Sequence, residues 1–302
     1  MERRHLKRCT GDKVFDTVIF IILTFIFFVV AYPLYFVIIS SISDPELVAA
    51  GKVVLYPMGV TADGYLKVFE TKEVLRGFVN SLIITTMGVS INLAVTLPTS
   101  YALSRPDFAL KKPITFFYLI TMFVGGGMIP TYLVVKGTNL LNTWWAITVP
   151  GAISVYNMIV ARTFFVTNIP VELMDAAKID GCGNTRFFFS IVLPLSGAIT
   201  AILFLYYGVG HWNSYFSALL YIDDRNKQPL QMELRSILLQ DTINKTKTVL
   251  TEAERAEKNR LEALKEMMKY SLIIVSSIPV LIIYPFVQKY FVKGVMIGSI
   301  KG

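Results

Sequence analysis

Residues 17–43 hold no Asp, Glu, Lys or Arg, and their apolar side chains fall on every side of a helix rather than along one stripe. Such a helix has no polar face to turn to water. About 20 residues of this kind cross the hydrocarbon core of a bilayer. Five further charge-free stretches follow, at 78–104, 113–135, 139–161, 189–209 and 270–287. The sequence therefore predicts an all-α integral membrane protein with six transmembrane helices. Composition agrees, with 17% of residues charged against about 25% in a soluble domain. The first stretch is too long for a secretory signal and lacks an A-x-A-like site, so it is expected to stay as a helix.

A net charge of +8 would suggest nucleic acid for a soluble chain. Here position matters more than the sum, and no nucleic-acid partner is expected. Arg3, Arg4, Lys7, Arg8 and Lys13 precede the first span. Arg105, Lys111 and Lys112 follow the second, Arg162, Lys178 and Arg186 the fourth, and Lys289, Lys293 and Lys301 close the chain. Six crossings put all four segments on one side, which the positive-inside rule makes the cytoplasm. The expected layout is a basic tail at 1–16, a span at 17–43, external loops at 44–76 and 222–269, a cytoplasmic loop at 165–190 and a tail at 288–302. The ten basic residues of 223–269 are nearly balanced by nine acids, and long loops translocate with weak regard to charge. Cys9 and Cys182 then face reducing cytoplasm, so no disulfide is expected. His5 and His211 fall on opposite sides, so no metal site is expected either.

The spans lack the mid-membrane Asp, Glu, His or Lys that ion-coupled transporters and pumps use. The chain has no G-x-x-x-x-G-K-[ST], G-x-S-x-G or H-E-x-x-H, so it neither cradles ATP phosphates nor offers a known catalytic set. Any work it does draws energy from another subunit. The alternative is a stand-alone facilitator or secondary transporter for a small polar solute. Seven prolines lie in or at spans, and Gly125, Gly126 and Gly127 interrupt the third. Such breakers serve as packing kinks or, at the three glycines, as a hinge lining a path.

The most informative segment is the cytoplasmic loop. Pro170 suits a helix start, Glu172 and Asp175 complement the dipole there, and Gly181 is the expected stop, in a left-handed conformation. Asp175-Ala176-Ala177, three residues, Gly181, nine residues and Ile191-Val192-Leu193-Pro194 match the pattern E-A-A-x3-G-x9-I-x-L-P at every spacing, with Asp for Glu at 175. The chain thereby resembles the permease subunits of ATP-binding-cassette importers. Asn80-Ser81, Trp212-Asn213-Ser214-Tyr215 and the ending from Gln288 are similar to maltose-type carbohydrate permeases. Gly125-Gly126-Gly127-Met128-Ile129-Pro130-Thr131, Leu141-Asn142-Thr143-Trp144-Trp145 and Pro150-Gly151-Ala152-Ile153-Ser154-Val155-Tyr156-Asn157 are similar to the branch for aldouronate, multiple-sugar or polysaccharide-fragment uptake.

The resemblance implies a type I importer permease fold over 74–287, with the 165–190 loop carrying a coupling helix. It implies a second, homologous permease, two copies of a cytoplasmic ATPase that holds ATP and Mg, an extracytoplasmic solute-binding protein, either lipid-anchored or periplasmic, and a sugar substrate. No cofactor is expected on this chain. Glu172, Asp175, Ala176, Ala177, Asp180 and Gly181 are expected at the ATPase contact. Tyr156, Asn157, Tyr207, His211, Trp212, Asn213 and Tyr215 are candidates for a sugar path, or else for the interfacial aromatic belt. From Thr251 the sequence turns helical, with Thr251 and Glu254 as a capping box, and runs into the sixth span. The external stretch 224–250 is expected to reach the binding protein.

Overall fold

In the computed structural model, residues 10–243 and 252–299 are described. His5, Cys9, the basic residues before position 10, the 244–249 stretch, Thr251 and Lys301 lie outside them. The described residues form helices α1 (Thr10–Ser41), α2 (Pro45–Ala49), α3 (Asp63–Glu70), α4 (Lys72–Ser104), α5 (Lys111–Phe123), α6 (Met128–Gly137), α7 (Trp145–Thr148), α8 (Val155–Asn168), α9 (Val171–Ile179), α10 (Asn184–Leu195), α11 (Gly197–Trp212), α12 (Tyr215–Tyr221), α13 (Leu230–Ile243) and α14 (Glu252–Ser299).

Three helical stretches are long and apolar enough to cross a bilayer: Gly11–Ser41, Lys72–Ser104 and Met267–Gln288. Two more crossings need a bent pair, α5 with α6 at 116° and α10 with α11 at 80°. The fourth expected stretch, 139–161, is not one helix: α7 stops at Thr148, and α8 begins only at Val155. Pro150 lies at the break and offers no N–H to the turn before it. The α10–α11 bend has a similar origin. Pro194 leaves a carbonyl one turn back without its donor, and the helix widens to a π turn over Phe188–Val192. The Ser196 hydroxyl donates to Val192 O at 2.6 Å. The α5–α6 bend sits at the three glycines, where Gly127 takes φ +84°.

The residues divide into two compact units. In the first, α1 leaves Phe20, Phe25 and Phe27 between 64% and 70% exposed, as a helix facing lipid must. Its C-terminal end is the anchored part. Ile39 packs with Val48 and Val53, Asp44 caps α2 by accepting from Glu46 N and Leu47 N, and Phe36 meets Tyr270 edge-on at 5.9 Å. Gly64 is required here, because a Cβ would lie 2.5 Å from Ser271 Oγ. The expected polar-to-apolar passage into the last span is one continuous helix of 48 residues. Ala263, Met267, Met268 and Leu272 are among its buried side chains.

The second unit is organised on α4. Gly77, Ser81, Ile84, Gly88, Asn92, Thr96 and Ser100 are all buried, and their three- and four-residue spacing puts them on one face. Small and hydroxyl-bearing residues allow membrane helices to approach closely and bond across the gap. Helices α8 and α11 pack on this face: Ser100 Oγ donates to Met158 O at 3.0 Å, and a Cβ at Gly88 would strike the His211 ring.

At the N-terminal end of α4 the segment after α12 is stitched down. Asn80 Nδ2 donates to Asn226 O and Gln228 O at 2.8 and 2.9 Å, and Leu230 N donates to Ser81 Oγ at 2.9 Å. Arg76 donates to Asn226 Oδ1. Asn142, at φ +60°, accepts from Asp224 N through Oδ1 and from Lys227 Nζ through its carbonyl. Trp144 Nε1 donates to Lys227 O at 3.1 Å.

Burial first, and then the Glu73 carboxylate, raise the Glu233 carboxyl above its ordinary value. A carboxyl raised by folding favours the folded state below its free value, about 4.3. That contribution is lost as pH rises through the folded value. Glu233→Gln should therefore raise the melting temperature at about pH 8 by roughly 2 °C, with the gain closing as the pH is lowered towards 4. A pH-independent gain would mean that charge is not the cause.

Candidate functional site

Helix α9 is short and is rooted by one face. Met174 and Ala177 are buried in a cluster with Tyr101, Phe165, Phe187 and Phe188, and Leu173, Ile169 and Cys182 pack beside them. Glu172, Asp175, Ala176, Asp180 and Gly181 are exposed. Ala177, expected at a partner contact, thus faces its own chain. Ile179 is 87% exposed.

The helix stops as its sequence requires. Gly181 has φ +71°, Gly181 N donates to Lys178 O at 3.0 Å, and Cys182 N donates to Ala177 O at 2.8 Å. These two bonds are the Schellman arrangement, which needs a left-handed residue at the turn. Nothing lies within 4 Å of a Cβ at Gly181, so the requirement there is conformational and not steric.

A charged clamp that spacing did not reveal joins this loop to the end of α4. Arg105 is bidentate to Asp107, with Nε–Oδ1 at 2.8 Å and Nη2–Oδ2 at 2.5 Å. Its remaining nitrogen donates to Asn184 Oδ1 at 2.7 Å, and Lys178 Nζ approaches Asp107 Oδ2 at 3.9 Å. The hydrogen bonds from Arg105 hold the Asp107 carboxyl below its usual range, and the same bonds hold Arg105 above its own. Arg105 and Asp107 lie within three residues of each other and bracket Pro106; only the fold brings Lys178 and Asn184 to them.

The residues expected on a sugar path are mostly engaged in structure. Tyr207 OH pairs with Thr96 Oγ1 at 2.8 Å and accepts from Ser154 N at 3.2 Å. His211 Nε2 pairs with Asn92 Oδ1 at 2.6 Å, and Asn92 Nδ2 donates to Gly151 O and Ala152 O at 2.6 and 2.9 Å. Unwound backbone at membrane depth needs such partners, because hydrocarbon supplies none. Asn92 and Thr96, which carry this hub, were missed by sequence reasoning. Their signal was a polar residue every four positions in an otherwise apolar helix.

Asn157 is buried and reaches the hub through Ser154, whose Oγ accepts from Asn157 N at 3.4 Å. Tyr156 is 58% exposed. At the far end of α11, Asn213 is exposed and Tyr215 carries the Arg235 guanidinium 4.6 Å above its ring. Trp212 is 4% exposed, donates through Nε1 to Ser276 O at 2.9 Å and meets Phe78 edge-on at 5.7 Å.

Trp212→Phe should therefore lower the melting temperature by about 2–4 °C, corresponding to one lost bond, and leave the apparent KM for substrate unchanged. A changed KM with unchanged melting would return Trp212 to the sugar path.

Among the described residues no cluster of His, Cys, Asp and Glu could hold a metal ion. Comparison with known proteins places this geometry. Over 295 residues the chain is 35% identical to the polygalacturonan/rhamnogalacturonan transport system permease protein YtcP of Bacillus subtilis (strain 168), covering 96% of this chain and 99% of that one. Protein LplC of Bacillus subtilis (strain 168) is 36% identical over 293 residues, covering 97% and 96%. The arabinooligosaccharides transport system permease protein AraQ of Halalkalibacterium halodurans is 27% identical over 290 residues, covering 92% and 94%. The crystal structure of a bacterial ABC transporter involved in the import of the acidic polysaccharide alginate matches with a TM-score of 0.84 at 28% identity, covering 95% of this chain and 99% of that one. No model of a known protein family matches the chain. Likeness along nearly the whole length of two permeases, on a frame shared with a solved importer, makes this chain a member of the permease subunits of ATP-binding-cassette sugar importers, a membrane component that is not itself an enzyme.

Proposed function

We propose that the chain is one of two homologous permeases through which an importer moves an acidic, uronate-containing oligosaccharide across the cytoplasmic membrane. The observation that carries the mechanical part is α9, whose buried face is rooted in the membrane unit while Glu172, Asp175, Ala176 and Ile179 stand bare. Two copies of a cytoplasmic ATPase, holding ATP and Mg, receive this face. Acids pair with basic groups there, and Ile179 supplies the apolar contact. Closure of the ATPases pushes α9, and the Arg105–Asp107 clamp carries the movement to α4. The Gly125–Gly127 bend serves as the hinge of the α5–α6 pair. The termini lie in the cytoplasm, as the basic segments require.

The substrate class rests on two relatives whose names specify acidic polysaccharides, polygalacturonan/rhamnogalacturonan and alginate. Outside, a lipid-anchored binding protein delivers the sugar. Because Asp224–Leu230 is tied to the chain's own α4, contact with that protein falls to the later part of the 224–250 stretch.

Co-expression with a second permease, the ATPase and the binding protein tests the reading. ATP hydrolysis by the purified complex should rise with binding protein loaded with an oligogalacturonate and stay basal with a neutral oligosaccharide of equal length. Sugar movement by the chain alone, without ATP, would establish a facilitator instead.

A further inference from the structure

We infer that the chain carries a site for an anionic phospholipid at the α9 end of the spans. A crevice of about 300 Å³ opens between the end of α4, the start of α5, α8 and the inner side of α9. Its walls hold three cations, Arg105, Lys111 and Arg162, and no acid. Each cation comes from a different segment, so the convergence is a product of the fold.

Arg105 is already neutralised by Asp107. The other two are not: Arg162 Nε donates to Leu103 O at 2.9 Å and Lys111 Nζ to Pro106 O at 3.3 Å. Among the described residues neither has a carboxylate partner. Both side chains are half-buried, where an unbalanced charge is costly and attracts a counter-ion. The remaining wall is apolar, with Val166 and Val171 exposed along it.

A phosphodiester between Lys111 and Arg162 with an acyl chain along Val166 fits both halves of this surface. Basic pockets between membrane helices on the cytoplasmic side bind such headgroups. An acidic loop of the ATPase fits less well. The crevice is lined by Val171 and Met174, on the inward side of α9, whereas the outer residues Asp175, Ala176 and Ile179 are absent from it. This inference rests on the proposed orientation, with α9 in the cytoplasm.

The test uses the whole importer, extracted in mild detergent and equilibrated with equal amounts of phosphatidylglycerol and phosphatidylcholine. Lipid retained after washing is then quantified by mass spectrometry. Wild type should hold phosphatidylglycerol over phosphatidylcholine by about tenfold, and Lys111→Gln/Arg162→Gln should hold both equally. The charge-keeping Lys111→Arg/Arg162→Lys pair should retain the preference. If the double variant fails to assemble, Lys111→Gln alone should lower the preference about threefold.

A neutral pair that keeps the full preference would overturn the site. Loss of bound phosphatidylglycerol to millimolar inorganic phosphate would overturn the lipid in favour of a free anion. Loss of the preference when ATPase occupancy is raised to saturation would assign the cations to the ATPase. Failure of the proposed function shows differently, as a wild-type chain that does not co-purify with an ATPase at all.

Discussion

Asn92→Leu should collapse the membrane unit. Leucine fills a similar volume, yet it removes the two N–H donors that hold Gly151 O and Ala152 O and the oxygen that pairs with His211. Three part-buried polar groups lose their partner at once, at about 1 kcal/mol or more each. Asn92 is fully buried, so water cannot take its place. The melting temperature of the purified chain should fall by about 10 °C or more, and extracted protein should aggregate. Tyr207→Phe, which strands Thr96 Oγ1 and Ser154 N, should cost about two thirds as much. Equal melting of wild type and Asn92→Leu would show that the unwound 149–154 segment finds other partners.

Gly181→Val should lower ATP-driven uptake by roughly 30-fold without lowering the amount of protein in the membrane. The left-handed backbone at φ +71° costs an ordinary residue about 1–2 kcal/mol, and more when the side chain is β-branched. At about 1.4 kcal/mol per tenfold, the capped loop becomes a minor species. The core beneath is untouched, because a side chain at 181 meets nothing. Gly181→Asn separates conformation from mere bulk: asparagine tolerates this region, so at least a third of the uptake should survive. Uptake lost equally in Val and Asn variants would mean that the contact needs a bare backbone and not the turn.

The motifs that identify the family turn out to serve different physical ends. Asn80-Ser81 and Leu141-Asn142-Thr143-Trp144 are the fasteners of the segment that follows α12. Trp212 ties α11 to the last helix. Pro194 makes a π turn and a bend. The α9 loop offers Glu172, Asp175 and Asp180 outward. The burial of Asn157, Tyr207 and Trp212 and the exposure of Glu172, Asp175 and Asp180 follow from the fold and not from spacing. The Asn92 hub depends on tertiary packing because polar residues at four-residue spacing mark a face of α4 but not the groups it will meet.

By itself the sequence determined that the chain lives in a bilayer, since charge-free runs of 20 or so residues have no other stable surroundings. It also determined where α9 stops, because a glycine turn is local chemistry. Tertiary structure alone decided the rest. It set where a crossing can break, because the unwound backbone at Gly151 and Ala152 finds its donors on Asn92, far along the chain. Met174 and Ala177 turn inward while Ile179 stands out, because only the packing of α4, α8 and α10 defines an inside for a helix this short. Lys178 meets Asp107, and Lys111 meets Arg162's crevice, for the same reason: side-chain partnership across membrane helices depends on distance in space, to which sequence spacing is blind.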